Sequence, residues 1–325
     1  MGQIITSDAL EGLKSLPEGI ADMCVTSPPY YGLRDYGVDG QIGLEETPEA
    51  YIERLVQVFR EVRRVLKDDG ILWIVIGDSY NGSGKAKGAN LDGCLQETNK
   101  HAQQTKTTNI KGLKSKDMIG IPWELAFALR ADGWWLRQDI IWSKPNPMPE
   151  SVTDRCTKSH EYIFLLSKSR QYYFDHKIIM EPATYDGRKD TRMKGSHKYS
   201  QEGVTGLPVQ TFAARGLERW QKDDEGNYLR NKRSVWTINT KPFFGVHFAV
   251  FPSNLVRPCI QAGSREGGIV LDPFFGSGTT GEVAIEEGRD YIGIELNPAY
   301  VVLAEKRLAN CERQMMLPIS KKQTV

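Results

Sequence analysis

Apolar residues follow two alternating spacings along the whole chain. Between Pro48 and about Leu66 they lie three or four positions apart, which predicts an amphipathic helix that stops at Gly70. Unbroken apolar runs at residues 71–76 and 163–166 have the length of buried strands. Because strand patterns alternate with helix patterns from end to end, the chain predicts an α/β fold with a parallel or mixed sheet covered by helices on both faces.

Three ordered stretches hold the predicted elements, and two polar stretches separate them. The first stretch has strands at residues 2–8, 21–27 and 70–78 and helices at 9–17 and 48–66. The second has a helix at 122–131 and strands at 135–142 and 162–167, with a proline-rich loop between the strands. The third has helices at 253–263, 280–288 and 298–313 and strands at 267–273 and 289–296.

Charge is unevenly distributed, although the 325 residues carry a net charge of only +1. Residues 82–116 hold seven lysines and two acidic residues, and residues 186–233 hold eleven basic and seven acidic residues. Such stretches suit a nucleic acid, although a solvated loop can have the same composition. We expect one domain at 1–325, with halves at about 1–180 and 242–313, insertions at 82–116 and 184–236, and a tail at 317–325.

Several classes of protein are disfavoured by the sequence. No apolar run approaches the roughly 20 residues of a membrane-spanning helix, and the chain opens on a strand pattern instead of a secretory leader. We therefore expect a cytoplasmic protein with no membrane partner. The five cysteines are far apart and lack the spacing of metal ligands, so we expect free thiols and no metal site.

A glycine-rich loop follows the predicted strand at residues 267–273. Gly276 and Gly278 stand where this strand turns into a helix, and Glu295 ends the next strand. Glycines let the backbone approach a ligand closely, and a carboxylate at the second strand tip can accept hydrogen bonds from both ribose hydroxyls. No lysine follows the glycines, which disfavours an ATP site. The pattern indicates a nucleoside ligand.

The sequence Ser27-Pro28-Pro29-Tyr30 follows an apolar strand, where α/β folds place their chemistry. The amino group of a base is a poor nucleophile because its lone pair is delocalised into the ring. Ser27 Oγ and the Pro28 carbonyl can accept its hydrogens as it attacks a methyl carbon, and the two prolines stiffen the loop. Tyr30 offers a face on which an extruded base can stack. A rigid surface turn is the alternative interpretation.

Both loops resemble sequence motifs of the DNA amino-methyltransferases. Residues 272–280 with Glu295 are similar to motifs I and II, residues 26–30 to motif IV, and residues 247–255 to motif X. Motif IV precedes motifs X and I, which is the permuted order of the family's beta class. The resemblance covers most of the chain and implies a Rossmann-like methyltransferase fold that binds S-adenosylmethionine, with DNA-recognition segments inserted.

The resemblance also implies roles for individual residues. The catalytic residues it implies are Ser27, Pro28, Pro29 and Tyr30. The cofactor-binding residues it implies are Asp8, Phe251, Ser253, Asp272, Pro273, Phe274, Gly276, Ser277, Gly278, Thr279 and Glu295. Ser253 also suits a helix N-cap. For Asp8 and for Asp78, which the family also places near the cofactor, capping at a strand end is the alternative.

DNA is the expected macromolecular partner. The candidate contacts are Lys85, Lys87, Arg155, His160, Arg188, Lys189, Arg192, Lys194, Arg230, Lys232 and Arg233, with Glu161 as a further contact to base or backbone. We expect double-stranded DNA, with a separately encoded restriction endonuclease and a homodimer as open alternatives.

Several substrates fit this chemistry. The sequence Thr-Ser-Pro-Pro-Tyr is associated mainly with N4-cytosine enzymes, which favours that atom over N6 of adenine, although either amino group can donate to serine. Methylation of RNA or protein glutamine, and a non-catalytic DNA-binding module, are the other interpretations. C5-cytosine chemistry is disfavoured because it needs a thiolate downstream of motif I, where only Cys311 lies, and Cys259 sits upstream in a predicted helix.

Overall fold

A computed structural model of the chain describes residues 2–33, 37–82, 110, 112–147, 149–183, 221–240 and 251–316. Contacts divide the chain into one compact unit formed by Met1–Asp175 and Ser234–Val325 and a second formed by His176–Arg233. The first unit contains the main sheet. In the second, the described residues include a two-stranded antiparallel ribbon.

The strands are β1 (Gln3–Thr6), β2 (Ala21–Thr26), β3 (Leu66–Ile76), β4 (Trp135–Ser143), β5 (His160–Ser167), β6 (Glu181–Pro182), β7 (Leu229–Arg230), β8 (Val235–Thr237), β9 (Ile269–Asp272) and β10 (Asp290–Glu295). The helices are α1 (Ala9–Lys14), α2 (Pro48–Val65), α3 (Ile121–Ala131), α4 (Ser253–Gly263), α5 (Thr279–Glu286) and α6 (Pro298–Met316). Eight strands form one sheet in the order β1-β10-β9-β2-β3-β5-β4-β8. In it, β5 runs antiparallel to β3 and β4, and all other neighbours are parallel.

Alternate residues of β3 face opposite layers of the core. Leu72 and Ile74 pack with buried residues of α1, α2 and α3, whereas Trp73 and Val75 pack with buried residues of α4, α5 and α6. Because successive side chains of a strand point to opposite faces, the helices cover the sheet on both sides. The predicted α/β fold with a largely parallel mixed sheet is confirmed.

Helix α2 forms where the apolar spacing predicts it. Thr47 caps its N-terminus by accepting the Ala50 N–H at 3.2 Å. Tyr51 and Val62 are fully buried on its inner face. The Tyr51 hydroxyl also reaches the loop after β2 and donates to the Pro29 carbonyl at 2.7 Å, so this helix holds part of the loop that carries the candidate chemistry.

Helix α2 ends within one residue of its predicted end at about Leu66, but the strand that follows begins four residues earlier than the predicted start at Gly70. The helix ends at Val65, and Gly70 lies within β3. The register between β2 and β3 shifts here, because residues 67–70 of β3 stand opposite a single residue of β2, Asp22. A β-carbon at Gly70 would lie 2.9 Å from the Lys67 carbonyl oxygen, so glycine fits the irregular turn of this bulge.

Other boundaries also differ from expectation. Ser253 is the first residue of α4 and not its N-cap, which is Pro252, and no side chain caps this helix. The extended ψ of Pro252, 145°, suits the position before a helix. Strand β5 begins at His160, two residues earlier than predicted, and β8 was not predicted because its three residues give no periodic pattern.

Parts of the predicted insertions fall outside the described residues. Residues 83–109 and 184–220 are among them, as is the predicted tail at 317–325. Within the described residues, no helix has both the length and the apolar character needed to cross a bilayer.

Candidate active site

The loops after β2 and β9 begin side by side. These strands are parallel neighbours, with Cys24 opposite Leu271, so their carboxyl ends lie at the same edge of the sheet. A cavity of about 710 Å³ opens there. Ser27, Pro28, Pro29 and Tyr30 line it, together with Pro273, Phe274, Gly276, Ser277 and Thr279. The two candidate motifs therefore face one space.

The glycine-rich loop depends on left-handed backbone at two positions. Gly276 has φ 54° and Gly278 has φ 80°, where side chains with a β-carbon are strained. The Gly276 N–H donates to Glu295 Oε2 at 2.7 Å, and the Asn297 N–H donates to Glu295 Oε1 at 2.8 Å. Burial raises the pKa of the Glu295 carboxyl. One carboxylate thus joins the loop after β9 to the turn after β10.

Asp272 shapes this loop from inside the protein and does not line the cavity. Its carboxylate accepts hydrogen bonds from the hydroxyls of Thr26 and Thr280, each at 2.6 Å, and from the Phe274 N–H at 3.0 Å. Burial raises the pKa of Asp272 to about 6. Gly278, another candidate cofactor residue away from the cavity wall, is the N-cap of α5.

Phe275 anchors the middle of the loop in the core. Its ring stacks on Tyr291 with centroids 5.7 Å apart. A β-carbon at Gly293 would lie 2.3 Å from the Phe275 ring, so only glycine in β10 admits the ring. Both Phe275 and the preceding residue, Phe274, line the cavity. The two phenylalanines therefore fix the loop on one side and give the cavity an apolar wall on the other.

The remaining candidate cofactor residues occupy different positions. Phe251 and Glu295 line the cavity, whereas Ser253 does not. Asp8 lines the cavity and also caps α1, because its carboxylate accepts the N–H groups of Leu10 and Glu11 at 3.0 and 3.1 Å. Capping, the alternative interpretation, therefore fits Asp8, and its contact with the cofactor stays a prediction.

Asp78 has a structural position away from the cavity wall. Its carboxylate accepts the N–H groups of Gly120 and Ile121 at the start of α3, at 3.0 and 3.2 Å, and that of Ser79 at 2.9 Å. The alternative of capping therefore fits Asp78, since backbone N–H groups at a helix start otherwise lack partners.

Tyr30 is tied to the opposite wall of the cavity. Its hydroxyl donates to Glu161 Oε2 at 2.8 Å, and Glu161 Oε1 forms an ion pair with Lys144. Burial, and then the charge of Glu161, raise the pKa of Tyr30 well above its usual value. The Lys144 ammonium also lies 4.2 Å from the centroid of the Trp142 ring. The ring of Tyr30 is thus held at its hydroxyl end.

Sequence reasoning missed several residues of this wall. It assigned no role to Lys144, Trp142 or Asn297, all of which line the cavity, and it offered Glu161 only as a DNA contact. One sequence feature pointed to this wall: residues 142–162 resemble a region found in the family. That resemblance does not say which of these residues contact Tyr30.

The candidate DNA contacts are only partly described. Arg155 pairs with Glu150 at 2.8 Å and stacks over the Tyr80 ring at 4.1 Å, and His160 packs edge-on against a tyrosine. Neither lines the cavity. Arg230 pairs with Glu181 within the smaller unit, and Lys232 and Arg233 follow β7. Lys85, Lys87, Arg188, Lys189, Arg192 and Lys194 lie outside the described residues.

The cavity fits an adenosyl ligand with a methionine end. The backbone at Gly276 carries no side chain that would fill the space. Glu295 accepts the N–H groups of Gly276 and Asn297, and the Leu296 N–H also interacts with it; a carboxylate has about four acceptor sites, so one remains for a ribose hydroxyl. Phe274 and Leu296 add apolar surface for a base. This combination of carboxylate, glycine and apolar ring is what a nucleoside needs.

Comparisons with known proteins identify the family of the chain. The family model described as DNA methylase, for N6 and N4 methyltransferases, matches residues 21–306. The Type II methyltransferase M.SmaI of Serratia marcescens is 48% identical over 306 residues, which cover 94% of this chain and 90% of that protein. The Type II methyltransferase M.Cfr9I of Citrobacter freundii is 46% identical over 305 residues, covering 94% and 87%.

Solved structures show the same fold. A DNA modification methylase from Thermus thermophilus, complexed with S-adenosylmethionine, is 26% identical with a TM-score of 0.58, covering 96% of this chain and 94% of that one. The PvuII DNA methyltransferase, described as cytosine-N4-specific, is 18% identical with a TM-score of 0.60, covering 97% and 92%. The chain therefore belongs to the N6/N4 DNA methylase family and is an S-adenosylmethionine-dependent DNA methyltransferase.

Proposed function

We propose that this enzyme methylates N4 of a cytosine that is extruded from double-stranded DNA at a specific sequence. The observation that carries the proposal is the cavity shared by Ser27-Pro28-Pro29-Tyr30 and the glycine-rich loop. Ser27 favours cytosine over adenine, because residues 26–30 resemble the form of motif IV that is associated mainly with N4-cytosine enzymes. Extrusion is needed because the amino group of a paired base cannot reach a cavity inside the protein.

Ser27 and Pro28 act on the amino group. When bound, S-adenosylmethionine would supply a methyl group on a positively charged sulfur: as the amino nitrogen attacks, the carbon–sulfur bond would break to leave a neutral thioether, and the nitrogen would release one proton to solvent. Ser27 Oγ and the Pro28 carbonyl accept the two N–H hydrogens and help the nitrogen become tetrahedral. The hydrogen bond from Tyr51 to the Pro29 carbonyl supports this role, since it holds the next peptide of the loop in place.

Tyr30 receives the extruded base on its ring. Its hydroxyl is engaged by Glu161, so the ring face is the part left for stacking. Base–aromatic stacking is worth about 1–3 kcal/mol. On the cofactor side, the backbone of Gly276 and the carboxylate of Glu295 hold the methionine end and the ribose.

The basic insertions bind the DNA backbone. Lysines and arginines in the insertions at 82–116 and 184–236 neutralise phosphates, and part of the second insertion reads bases. A separately encoded restriction endonuclease is the proposed functional partner, because the relatives from Serratia and Citrobacter are named Type II methyltransferases. A homodimer stays a prediction.

Transfer of a labelled methyl group tests this function. The wild-type protein and Ser27→Ala are each incubated with methyl-labelled S-adenosylmethionine and with duplex DNA, RNA or a protein extract. We expect label in duplex DNA only, and at least a tenfold lower rate for the variant, since one aligned acceptor is lost. Label in RNA or protein, or an unchanged rate for Ser27→Ala, would contradict the proposal. Modification-aware sequencing of the labelled DNA then gives the recognition sequence.

A further inference from the structure

Lys144 brings a positive charge to the wall of the cavity. It follows β4, where its backbone N–H donates to the Ser159 carbonyl at 2.8 Å, so the pairing of β4 with β5 sets its position. Its side chain lines the cavity and is only 16% exposed. The phosphates of duplex DNA stay at the surface of a protein, whereas an extruded base enters a pocket. A lysine in this place therefore suits the extruded base better than the duplex backbone.

The Lys144 ammonium keeps a donor for a ligand. An ammonium has three N–H groups and no acceptor. Among the residues that the structure describes, its one hydrogen-bond acceptor is Glu161 Oε1. It also lies 4.2 Å from the centroid of the Trp142 ring. Because carboxylate and ring occupy two of the three N–H directions at most, at least one N–H is available to an acceptor on the substrate.

Glu161 places this donor beside the platform for the base. Its Oε2 accepts from the Tyr30 hydroxyl at 2.8 Å and its Oε1 accepts from Lys144. A single carboxylate therefore separates the ammonium from the end of the Tyr30 ring. In the proposed function the extruded base lies on this ring, with its amino group at Ser27 and Pro28. The edge of the base then lies within reach of Lys144.

Cytosine and adenine present different groups to such a donor. In both bases a ring nitrogen that accepts hydrogen bonds lies beside the carbon that carries the amino group. On the far side of that nitrogen, cytosine has the O2 carbonyl and adenine has a C–H group. Lys144 lies beyond the Glu161 carboxylate as seen from Tyr30, so the acceptor that it meets is the one further from the amino group. A donor there stabilises bound cytosine and finds no partner on adenine.

We propose that Lys144 recognises the extruded cytosine by donating a hydrogen bond to its O2. The inference deepens the proposed function and rests on it, since adenine offers no such acceptor. Glu161 is a positioning residue here, because it holds the ammonium and offsets its charge. A site that hydrogen-bonds one substrate rejects the analogue that lacks the partner, because the polar group of the site is then left unpaired.

Replacing O2 of the target cytosine with sulfur tests the contact. Two duplexes contain the recognition sequence obtained by modification-aware sequencing, one with cytosine and one with 2-thiocytosine at the target position. Sulfur is a weak acceptor, so we expect the single-turnover methylation rate of the wild type to fall by at least about tenfold, as for one hydrogen bond from a charged donor. In Lys144→Met the same replacement should change the rate by less than about threefold, because the donor is already gone.

The comparison of the two duplexes excludes a merely structural role of Lys144. A change that only disturbs the Tyr30 ring slows both duplexes alike and leaves the effect of sulfur as it is in the wild type. The same effect of sulfur in wild type and in Lys144→Met would therefore overturn the inference. Equal wild-type rates on the two duplexes would overturn it as well.

Lys168→Met is the matched control. Lys168 is also 16% exposed and also pairs with a carboxylate, that of Asp68, but it does not line the cavity. We expect wild-type rates on both duplexes. If this variant also abolished the effect of sulfur, the inference would be overturned, because the effect would not depend on a donor in the cavity.

A second variant covers the case in which Lys144→Met does not fold. Removing Lys144 alone leaves the carboxylate of Glu161, which is only 17% exposed, without its cation. The double variant Lys144→Met with Glu161→Gln removes both charges, and its amide oxygen can still accept from Tyr30. We expect the effect of sulfur to shrink below about threefold here too. A tenfold effect that persists would overturn the inference.

The product formed on the cytosine duplex separates this inference from the proposed function. If the wild type forms N4-methylcytosine and sulfur slows it equally with and without Lys144, the contact with O2 is wrong and the proposed function stands. If the wild type methylates only adenine in this duplex, the proposed function is wrong and the inference fails with it.

Discussion

The Thr26 hydroxyl donates a hydrogen bond to Asp272, with 2.6 Å between the two oxygens. Thr26 is the last residue of β2 and Asp272 the last residue of β9, so this bond joins the strands that lead into the catalytic and glycine-rich loops. Thr280 donates to the other carboxylate oxygen from the start of α5, also at 2.6 Å. The relative position of the two loops is thus set by one buried acid.

Asp272 makes stability depend on pH. Burial raises its pKa to about 6 in the folded protein from 3.8, so between these values the folded state binds more protons than the unfolded chain. Stability from this group is complete below about pH 4 and is lost as pH rises through about 6. At neutral pH the buried charge costs about 3 kcal/mol relative to an exposed carboxyl.

Asp272→Asn removes this dependence. In urea unfolding, the stability of wild type relative to the variant should fall by about 1–2 kcal/mol between pH 5 and pH 8. A difference that stays constant, or that grows in favour of wild type as pH rises, would show that folding does not raise the pKa of Asp272.

Gly77→Ala should disturb the catalytic wall without touching the cofactor side. The added β-carbon would lie 2.8 Å from the Tyr30 ring, so the ring and Glu161 must move. A displacement of about 1 Å at a reacting group can lower a rate by about 100-fold. We expect at least a tenfold lower kcat and an unchanged affinity for S-adenosylmethionine by calorimetry. The control is Ser79→Ala, two residues along the chain, because the hydrogen bonds of Ser79 are made by its backbone and survive the substitution. We expect a wild-type kcat for the control. A wild-type kcat for Gly77→Ala would contradict the expectation.

Glu295→Ala should weaken cofactor binding by about 1–3 kcal/mol, since it removes hydrogen bonds to a charged acceptor. It also frees the Gly276 N–H, which Glu295 accepts at 2.7 Å. Titration calorimetry measures the change, and Glu305→Ala, an exposed acid on α6, is the control. Equal affinities in wild type and Glu295→Ala would remove this carboxylate from the cofactor site.

Residues that are neighbours in sequence were the ones that sequence patterns could place. The order strand, glycine-rich loop, helix, strand and acid predicted how Gly276 and Glu295 face one another, because parallel strands end at a common edge. The contact between Tyr30 and Glu161 spans 131 positions, and no local pattern encodes such a distance. The resemblance drew attention to Glu161 but gave it a different partner.

The start of β3 shows where a local rule reached its limit. The apolar stripe and the following glycine placed the end of α2 within one residue, but the strand begins at Leu66 and not at Gly70, because the sheet takes up residues 67–70 as a bulge. Lys67, which lies in this bulge, forms an ion pair with the buried Asp22, with 2.8 Å between its nitrogen and the carboxylate oxygen. That interaction depends on β2 lying alongside, which the helix pattern alone does not contain.

Mass spectrometry of nucleosides from treated DNA tests the central claim most directly. Duplex DNA is incubated with the protein and S-adenosylmethionine, digested to nucleosides and compared with DNA treated without the cofactor. We predict N4-methylcytosine as the only new nucleoside. N6-methyladenine alone would overturn the choice of base while leaving amino-group methylation intact, and 5-methylcytosine would contradict the account of Ser27, Pro28 and Tyr30 altogether.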